Sequence, residues 1–543
     1  MNAATTPRFE FGHFLYETHC TTASGIFLEH GKYNEEMILR GLLVFSAIAL
    51  RAQSPGDAST TMRVSTRLVE VSVIVHDKNV PVVNLTKDDF LLTDRGRART
   101  IDVFAVKNTP NPAANGDPLP AGTFSNRRNG PGAAPPNVVI VLLDGRNTRF
   151  EDQSNAKRQF VKFLASVDPK DRIAVYTLSD KLRVLCDFTD SPEELQKILA
   201  RFRGSTGTDV ITAEPDPSDT GNAALDELVN HANETFANKA QSDGALSTLA
   251  AFAAIAGHVA DLPGRKTLVW LTGSLPFSLA SAAKVFNRAN LAVYPVDARG
   301  LVGLPRQMTA SAPSSRKPQH ISITGPEGLP TLQQLADLTG GRAFYNTNDL
   351  SGALRTALDD SNISYTLGFY LDSESLDGKL HELKVQVSRP GLTVRYRREY
   401  LASKESPAPA EERQNNILNA LDSPLESAHI PLSARIAPGE GSLNISWSMD
   451  VHTLQLQHKG NASTGAINVF FVQKDGTGKV LDTAQQAYEI YVRNEDYETF
   501  LRTEMSDEKA LVLKEGAKTL RIVVADRTSA AVGSLIISLS KVK

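Results

Sequence analysis

The segment Asn137–Thr148, NVVIVLLDGRNT, constrains this chain more than any other. Its apolar run, Val138 to Leu143, is unbroken, rich in Val, and ends abruptly at Asp144. A surface strand alternates apolar and polar residues; an unbroken run of this length and composition reads as a strand buried on both faces, as inside a parallel sheet. The residues after Asp144 turn the chain, and a helical pattern follows. In open α/β sheets, ligand sites lie beyond the carboxyl ends of the strands, which makes Asp144 the first candidate functional residue.

The elements that follow extend this reading. Glu151 to Val167 places Phe160, Val161, Phe163, Leu164 and Val167 on one face of a helix. Arg172–Leu178 and Arg183–Phe188 read as two strands joined antiparallel by the tight turn Ser179-Asp180-Lys181. Ser191 caps a helix to about Phe202, Gly204–Asp209 is a polar loop, residues 210–222 are irregular, and helical patterns cover about 223–238 and 243–260. A fourth strand, Lys266–Leu271, ends at Thr272-Gly273-Ser274. A helix over 278–289 leads to a fifth, Leu291–Val296, ending at Asp297. After a long loop, 298–329, Thr331 caps a helix that stops at Gly340-Gly341. A short strand, Ala343–Tyr345, and a closing helix, Leu350–Asp360, complete the series. This alternation predicts a doubly wound, mostly parallel α/β sheet of Rossmann-like type over residues 137–361. The turn DGRNT carries no glycine fingerprint, and the chain has no phosphate-binding G-x-x-x-x-G-K-[ST] loop, so a nucleotide fold is not indicated.

Both flanks read as β structure. Period-two alternation from Arg63 to His76 and a hairpin-like pattern to Val106 define a β module over 60–106, followed by a Pro-, Gly- and Asn-rich linker, 107–136. Residues 362–400 return to alternating strands and are expected to pair with 60–106, so that one module is built from both flanks. Residues 401–429 read as a linker, and 430–543 as a C-terminal β-sandwich with one helical piece, Asn494–Thr503. At the other end, within residues 1–53, Met37–Gln53 has the short apolar core of a signal peptide, Gly41–Leu50, and residues 1–36 read as an upstream extension. The expectation is a secreted or periplasmic protein without a transmembrane anchor after cleavage. Two cysteines, Cys20 and Cys186, exclude a disulfide framework, and 58 Lys+Arg against 61 Asp+Glu leave no net basic field for nucleic acid.

An Asp-terminated first strand followed by an antiparallel second-third hairpin resembles the von Willebrand factor A (vWA) domain. The motifs VVIVLLDGRNT, DRIAVYTLSDKLRVLCDFT, LPGRKTLVWLTGS, LAVYPVDARGL, LADLTGGRAFYNTNDL and SYTLGFY are similar, in that order, to the vWA-related proteins of acidobacteria. The resemblance covers about residues 60–400 and implies a rim that binds macromolecules, in standard domains through a metal-ion-dependent adhesion site of pattern Asp-x-Ser-x-Ser. Such a site uses hard oxygen ligands suited to Mg²⁺ or Ca²⁺. Carried over, Asp144 matches the first Asp and Thr148 the final hydroxyl, with Thr206 or Thr208 as the loop threonine. Position 146 is Arg, which has no lone pair to give and repels a dication, and the fourth strand ends at Thr272 without the expected Asp.

The standard metal site is therefore expected to be degenerate. The candidate binding rim is Asp144, Arg146, Thr148, Thr206, Thr272, Ser274 and Asp297. Either Asp144 and Asp297 converge on an ion, or an Asp144–Arg146–Asp297 charge network orders the rim, and the second is the expectation. No cofactor is implied beyond Mg²⁺ or Ca²⁺ at Asp144 and Thr148.

For catalysis the sequence offers little. The histidines are scattered, Cys186 lies inside a strand, and Ser274 has no base placed beside it. Arg395-Tyr396-Arg397-Arg398 reads as a solvated strand edge. The expected function is non-enzymatic binding of a protein or other cell-envelope macromolecule. Metal-dependent adhesion, a hydrolase using Asp144, Asp297 and Ser274, and a purely structural envelope component are the alternatives.

Overall fold

The computed structural model describes residues 12–14, 67–78, 80–107, 119–127, 138–164, 173–189, 197, 244–262, 264–274, 279–300, 328–372, 375–402 and 407–542. The signal-like segment, Thr206 and Thr208, the helix over 223–238 and most of the 298–329 loop lie outside them.

The central sheet contains β1 (Val139–Asp144), β2 (Ile173–Leu178), β3 (Leu182–Thr189), β4 (Lys266–Thr272) and β5 (Leu291–Asp297), in the order β3-β2-β1-β4-β5. β1 runs parallel to β2 and β4, and β4 parallel to β5. β3 is antiparallel to β2, as the short Ser179-Asp180-Lys181 turn requires. A parallel bridge from Val296 to Phe344 extends the sheet beyond β5. The chain thus winds outward from β1 in both directions.

Every residue of β1, β2, β4 and β5 is buried. On one face, α1 (Phe150–Leu164) and α5 (Leu350–Asn362) bring Phe160, Phe163, Leu354 and Leu358 onto Val139, Val141 and Leu143. On the other, α2 (residues 244–258), α3 (Leu279–Arg288) and α4 (Gly328–Thr339) bring Phe252, Phe286 and Leu335 onto Ile140, Leu142 and Trp270. Fully burying each such side chain contributes about 1.5–3 kcal/mol, which is why the apolar run is unbroken. The inverted third strand and the helices on both faces are the arrangement the vWA resemblance implies.

The flanking strands interleave. Ser364–Leu371 lies between Arg67–Asp77 and Val103–Lys107, and Lys379–Val387 pairs with Phe90–Asp94. Val71, Val73, Leu92, Tyr365, Leu367 and Leu383 share one core. The α/β unit is therefore inserted between two halves of one β module.

In the C-terminal part, two sheets enclose Trp447, Phe471, Tyr488 and Leu535. Both expected linkers need correction. Thr123–Ser125, inside 107–136, pairs with Leu432–Gly439, and a helix, Ala410–Asp422, inside 401–429, packs on Val523, Ala525 and Val532. A three-residue strand is too short to show a period, and the helix carries only a narrow apolar stripe with Ala420 buried. Glu504–Val512 is also a strand; it lies at a sheet edge with only Met505 and Leu511 buried, so its charges hide it.

Candidate functional site at the strand tips

Asp144 ends β1 and is 2% exposed. The turn that follows folds back onto it. The Asn147 backbone N–H donates to Asp144 Oδ1 at 3.0 Å, and Asn147 Nδ2 donates to Oδ2 at 2.8 Å and to Thr248 Oγ1 at 3.0 Å. From β4, Trp270 Nε1 donates to the same Oδ2 at 3.0 Å. The Thr272 hydroxyl lies 3.1 Å from Oδ2 and 2.8 Å from Ser274 O, so its single proton is shared between them. Four neutral donors thus converge on one buried carboxylate. Burial pushes the Asp144 carboxyl above its ordinary value, and the hydrogen bonds from Asn147, Trp270 and Thr272 oppose that shift only in part.

The neighbouring loops close the site further. Gln153 Nε2, on α1, donates to Gly145 O and Thr148 O at 2.9 and 2.8 Å. Thr148 Oγ1 accepts from Gly273 N at 2.9 Å, and Ser274 Oγ donates to Asn147 O at 3.1 Å. A Cβ at Gly273 would stand 3.1 Å from Asn147 O and 3.2 Å from Thr148 Cα, so glycine is what lets these two turns touch.

The expected charge network is not formed. Arg146 turns away from Asp144: its backbone N–H donates to Leu178 O at 3.1 Å, and its guanidinium reaches Asp180 at 3.6 Å. Asp297 is next to Thr272 in register, yet its carboxylate is held by Arg299, with Nε at 2.9 Å and Nη2 at 2.7 Å, a two-point fork. The physical reason is local. Both arginines follow a strand end by two residues; Arg299 folds back onto its own strand's aspartate, whereas the hydrogen bond of Arg146 to β2 aims its side chain at the Ser179–Lys181 turn. Asp144, Asn147, Thr148, Thr272 and Ser274 come together; Arg146 and Asp297 do not join them.

The residues described here do not fit a dication at Asp144. Oδ2 already faces three donors and the group is sealed from solvent, whereas a metal needs free oxygen lone pairs on several ligands. Among the described residues, no group of three or more His, Cys, Asp or Glu is placed to hold a metal. Nor is a hydrolytic set assembled: among the described residues, Ser274 Oγ donates to a carbonyl, with no His or carboxylate in hydrogen-bond reach.

Sequence reasoning missed Asn147, Trp270, Thr248 and Gln153. A signal existed for the first, since Asn three residues after a strand-ending Asp is turn chemistry.

A scan against protein-family models and a search of curated proteins find no match. Among solved structures, the chain is similar to an aerotolerance-related membrane protein from Bacteroides fragilis, with 14% identity over 41% of this chain and 98% of that one, TM-score 0.26. It is similar to BatB from Bacteroides thetaiotaomicron, with 15% identity over 41% and 96%, TM-score 0.25. A von Willebrand factor type A protein from Catenulispora acidiphila shares 11% identity over 81% and 74%, TM-score 0.25. At such scores the fold rests on the strand order and helix placement above: a doubly wound, vWA-like α/β unit with β structure on both sides.

Proposed function

We propose that this is an exported, non-enzymatic protein that binds another cell-envelope macromolecule through the rim at the carboxyl ends of β1, β2 and β4, without a metal ion. The observation that carries the reading is the saturation of Asp144 by neutral donors, which makes the rim a pre-formed surface instead of an open coordination site. Around it stand exposed side chains of mixed character: Phe150 (46% exposed), Leu246 (67%) and Asp180. Exposed aromatic and aliphatic groups beside a charge are what a protein partner engages. Export rests on Met37–Gln53; among the described residues, no helix is long and apolar enough to cross a membrane.

The test has two arms. Calorimetric titration of the mature protein with Mg²⁺ and Ca²⁺ is expected to give no binding heat, with Asp144→Ala as the control. Tight binding abolished by that substitution would replace this reading with metal-dependent adhesion. A cross-linking pull-down from the native envelope is expected to capture a partner that the Phe150→Ala, Leu246→Asp double variant loses; undiminished capture by the variant would move the binding surface elsewhere.

A further inference from the structure

A second polar region lies where the α/β unit meets the β module, beside the end of β5, where the Asp297 N–H donates to Phe344 O at 2.8 Å, and apart from the Asp144 cluster. A cavity of about 710 Å³ opens between the segment Gly341–Tyr345, the first turns of α5 and the strand Thr393–Arg395 with the residues that follow it to Arg398. That volume is within the range of small-molecule sites. Its cationic wall is made by Arg342 from the α/β unit and by Arg395 and Arg398 from the β module.

These arginines are not equivalent. Arg395 Nη1 is 2.7 Å from the buried Asp360 carboxylate, which also receives the Tyr294 hydroxyl at 2.9 Å and faces His76 Nε2 at 2.8 Å. Its charge is therefore matched inside the protein. Arg342 and Arg398 have no carboxylate within ion-pair distance among the described residues. Arg342 is partly buried, with its guanidinium carbon 5.2 Å from the centre of the Phe344 ring. Burial, and then the like charge of Arg395, push Arg342 below its ordinary value, which is the direction an added anion would reverse. The two acidic groups of the wall are engaged: Asp349 accepts from Gly352 N and caps α5, and Asp337 accepts from Gln333 Nε2. The helix amides are thus partly spent on Asp349, and recognition falls to the guanidinia. Phe344, Tyr345 and Tyr396 supply apolar faces for the remainder of a ligand.

We propose that this cavity binds a small organic molecule bearing a phosphate or carboxylate group, with the oxyanion held between Arg342 and Arg398 across the junction. A planar guanidinium meets such a group through two parallel N–H···O bonds, which a lysine cannot reproduce. The site shares no lining residue with the Asp144 cluster at the tip of β1.

The experiment is calorimetric titration of the full chain with inorganic phosphate, a sugar phosphate and citrate, repeated on Arg342→Gln and Arg398→Gln. At least one probe is expected to bind, with affinity falling by about tenfold in each variant. A ligand that binds only the folded chain also raises its Tm, so the probe that binds is expected to raise the wild-type Tm more than that of either variant. Selective binding of the sugar phosphate or of citrate assigns the oxyanion. Absence of binding by every probe up to about 10 mM, or binding that persists unchanged in both variants, overturns the proposal. Arg342→Lys keeps the charge but loses the fork, and is expected to bind more weakly than wild type; affinity equal to wild type would also count against it.

Discussion

Among the aspartates almost fully buried in the described residues, Asp144 and Asp360 are satisfied in opposite ways. Asp144, at the tip of β1, meets only neutral donors, and burial leaves its carboxyl above the ordinary range. Asp360, near the end of α5 at the junction with the β module, meets the Arg395 cation, the His76 ring and the Tyr294 hydroxyl. Burial acts to raise its carboxyl too, but His76 and Arg395 hold it below the usual carboxylate range. The same side chain at similar depth is therefore a tethered dipole acceptor in one place and an ion-pair centre in the other. A carboxylate can be retained in a protein interior without a cation, provided enough N–H and O–H groups are pre-aimed at it.

Removing each group tests this contrast. Asp360→Ala is expected to have the largest effect, a loss of about 3–5 kcal/mol in unfolding free energy by urea titration, because it strands Arg395 without its partner. Asp144→Ala is expected to cost less, about 1–3 kcal/mol, since the groups it orphans are uncharged. Equal losses would mean that the two environments are energetically alike and that the distinction drawn here fails.

The smallest effect, and the sharpest, is in pH dependence. With its folded value raised, Asp144 binds more protons folded than unfolded just above the ordinary carboxylate value of 3.8, so its contribution falls as pH rises through that window. With its folded value lowered, Asp360 contributes fully above 3.8 and loses that contribution as pH falls through its folded value. Urea midpoints measured against pH for Asp144→Asn and Asp360→Asn should therefore depart from wild type with opposite slopes. Parallel curves would show that one mechanism governs both.

How far these features can be read from sequence depends on what each one requires. β1 is legible because burial on two faces writes itself as an unbroken apolar run, and Asp144 is legible because it ends that run. Its partners are not, because Trp270 and Thr272 arrive through the register that sets Leu271 beside Leu143, more than a hundred residues away in the chain. Arg146 is misplaced by sequence for the opposite reason: adjacency in the chain is not adjacency in space, and the Leu178 carbonyl decides where the turn points. The arginine run near residue 395 read as a solvated edge. Thr393–Arg395 is indeed an outer strand, but Arg395 reaches across the junction to Asp360, a partner no local pattern announces. Thr123–Ser125 and the helix Ala410–Asp422 were hidden by brevity and by a narrow apolar stripe.

The insertion of the α/β unit also bears on how the chain is made. Arg67–Asp77 emerges from synthesis with its hydrogen-bonding edges open, and its neighbour Ser364–Leu371 follows only after the entire α/β unit. Until the second half is made, the first half of the module has only local pairings, Arg67–Asp77 with Val80–Pro81 and Phe90–Asp94 with Arg97–Arg99. Loop closure on that scale is slow unless the intervening chain is already compact. The central five-stranded sheet is drawn from one continuous stretch, residues 139–297, whereas the module that cradles it needs strands from both sides of that stretch.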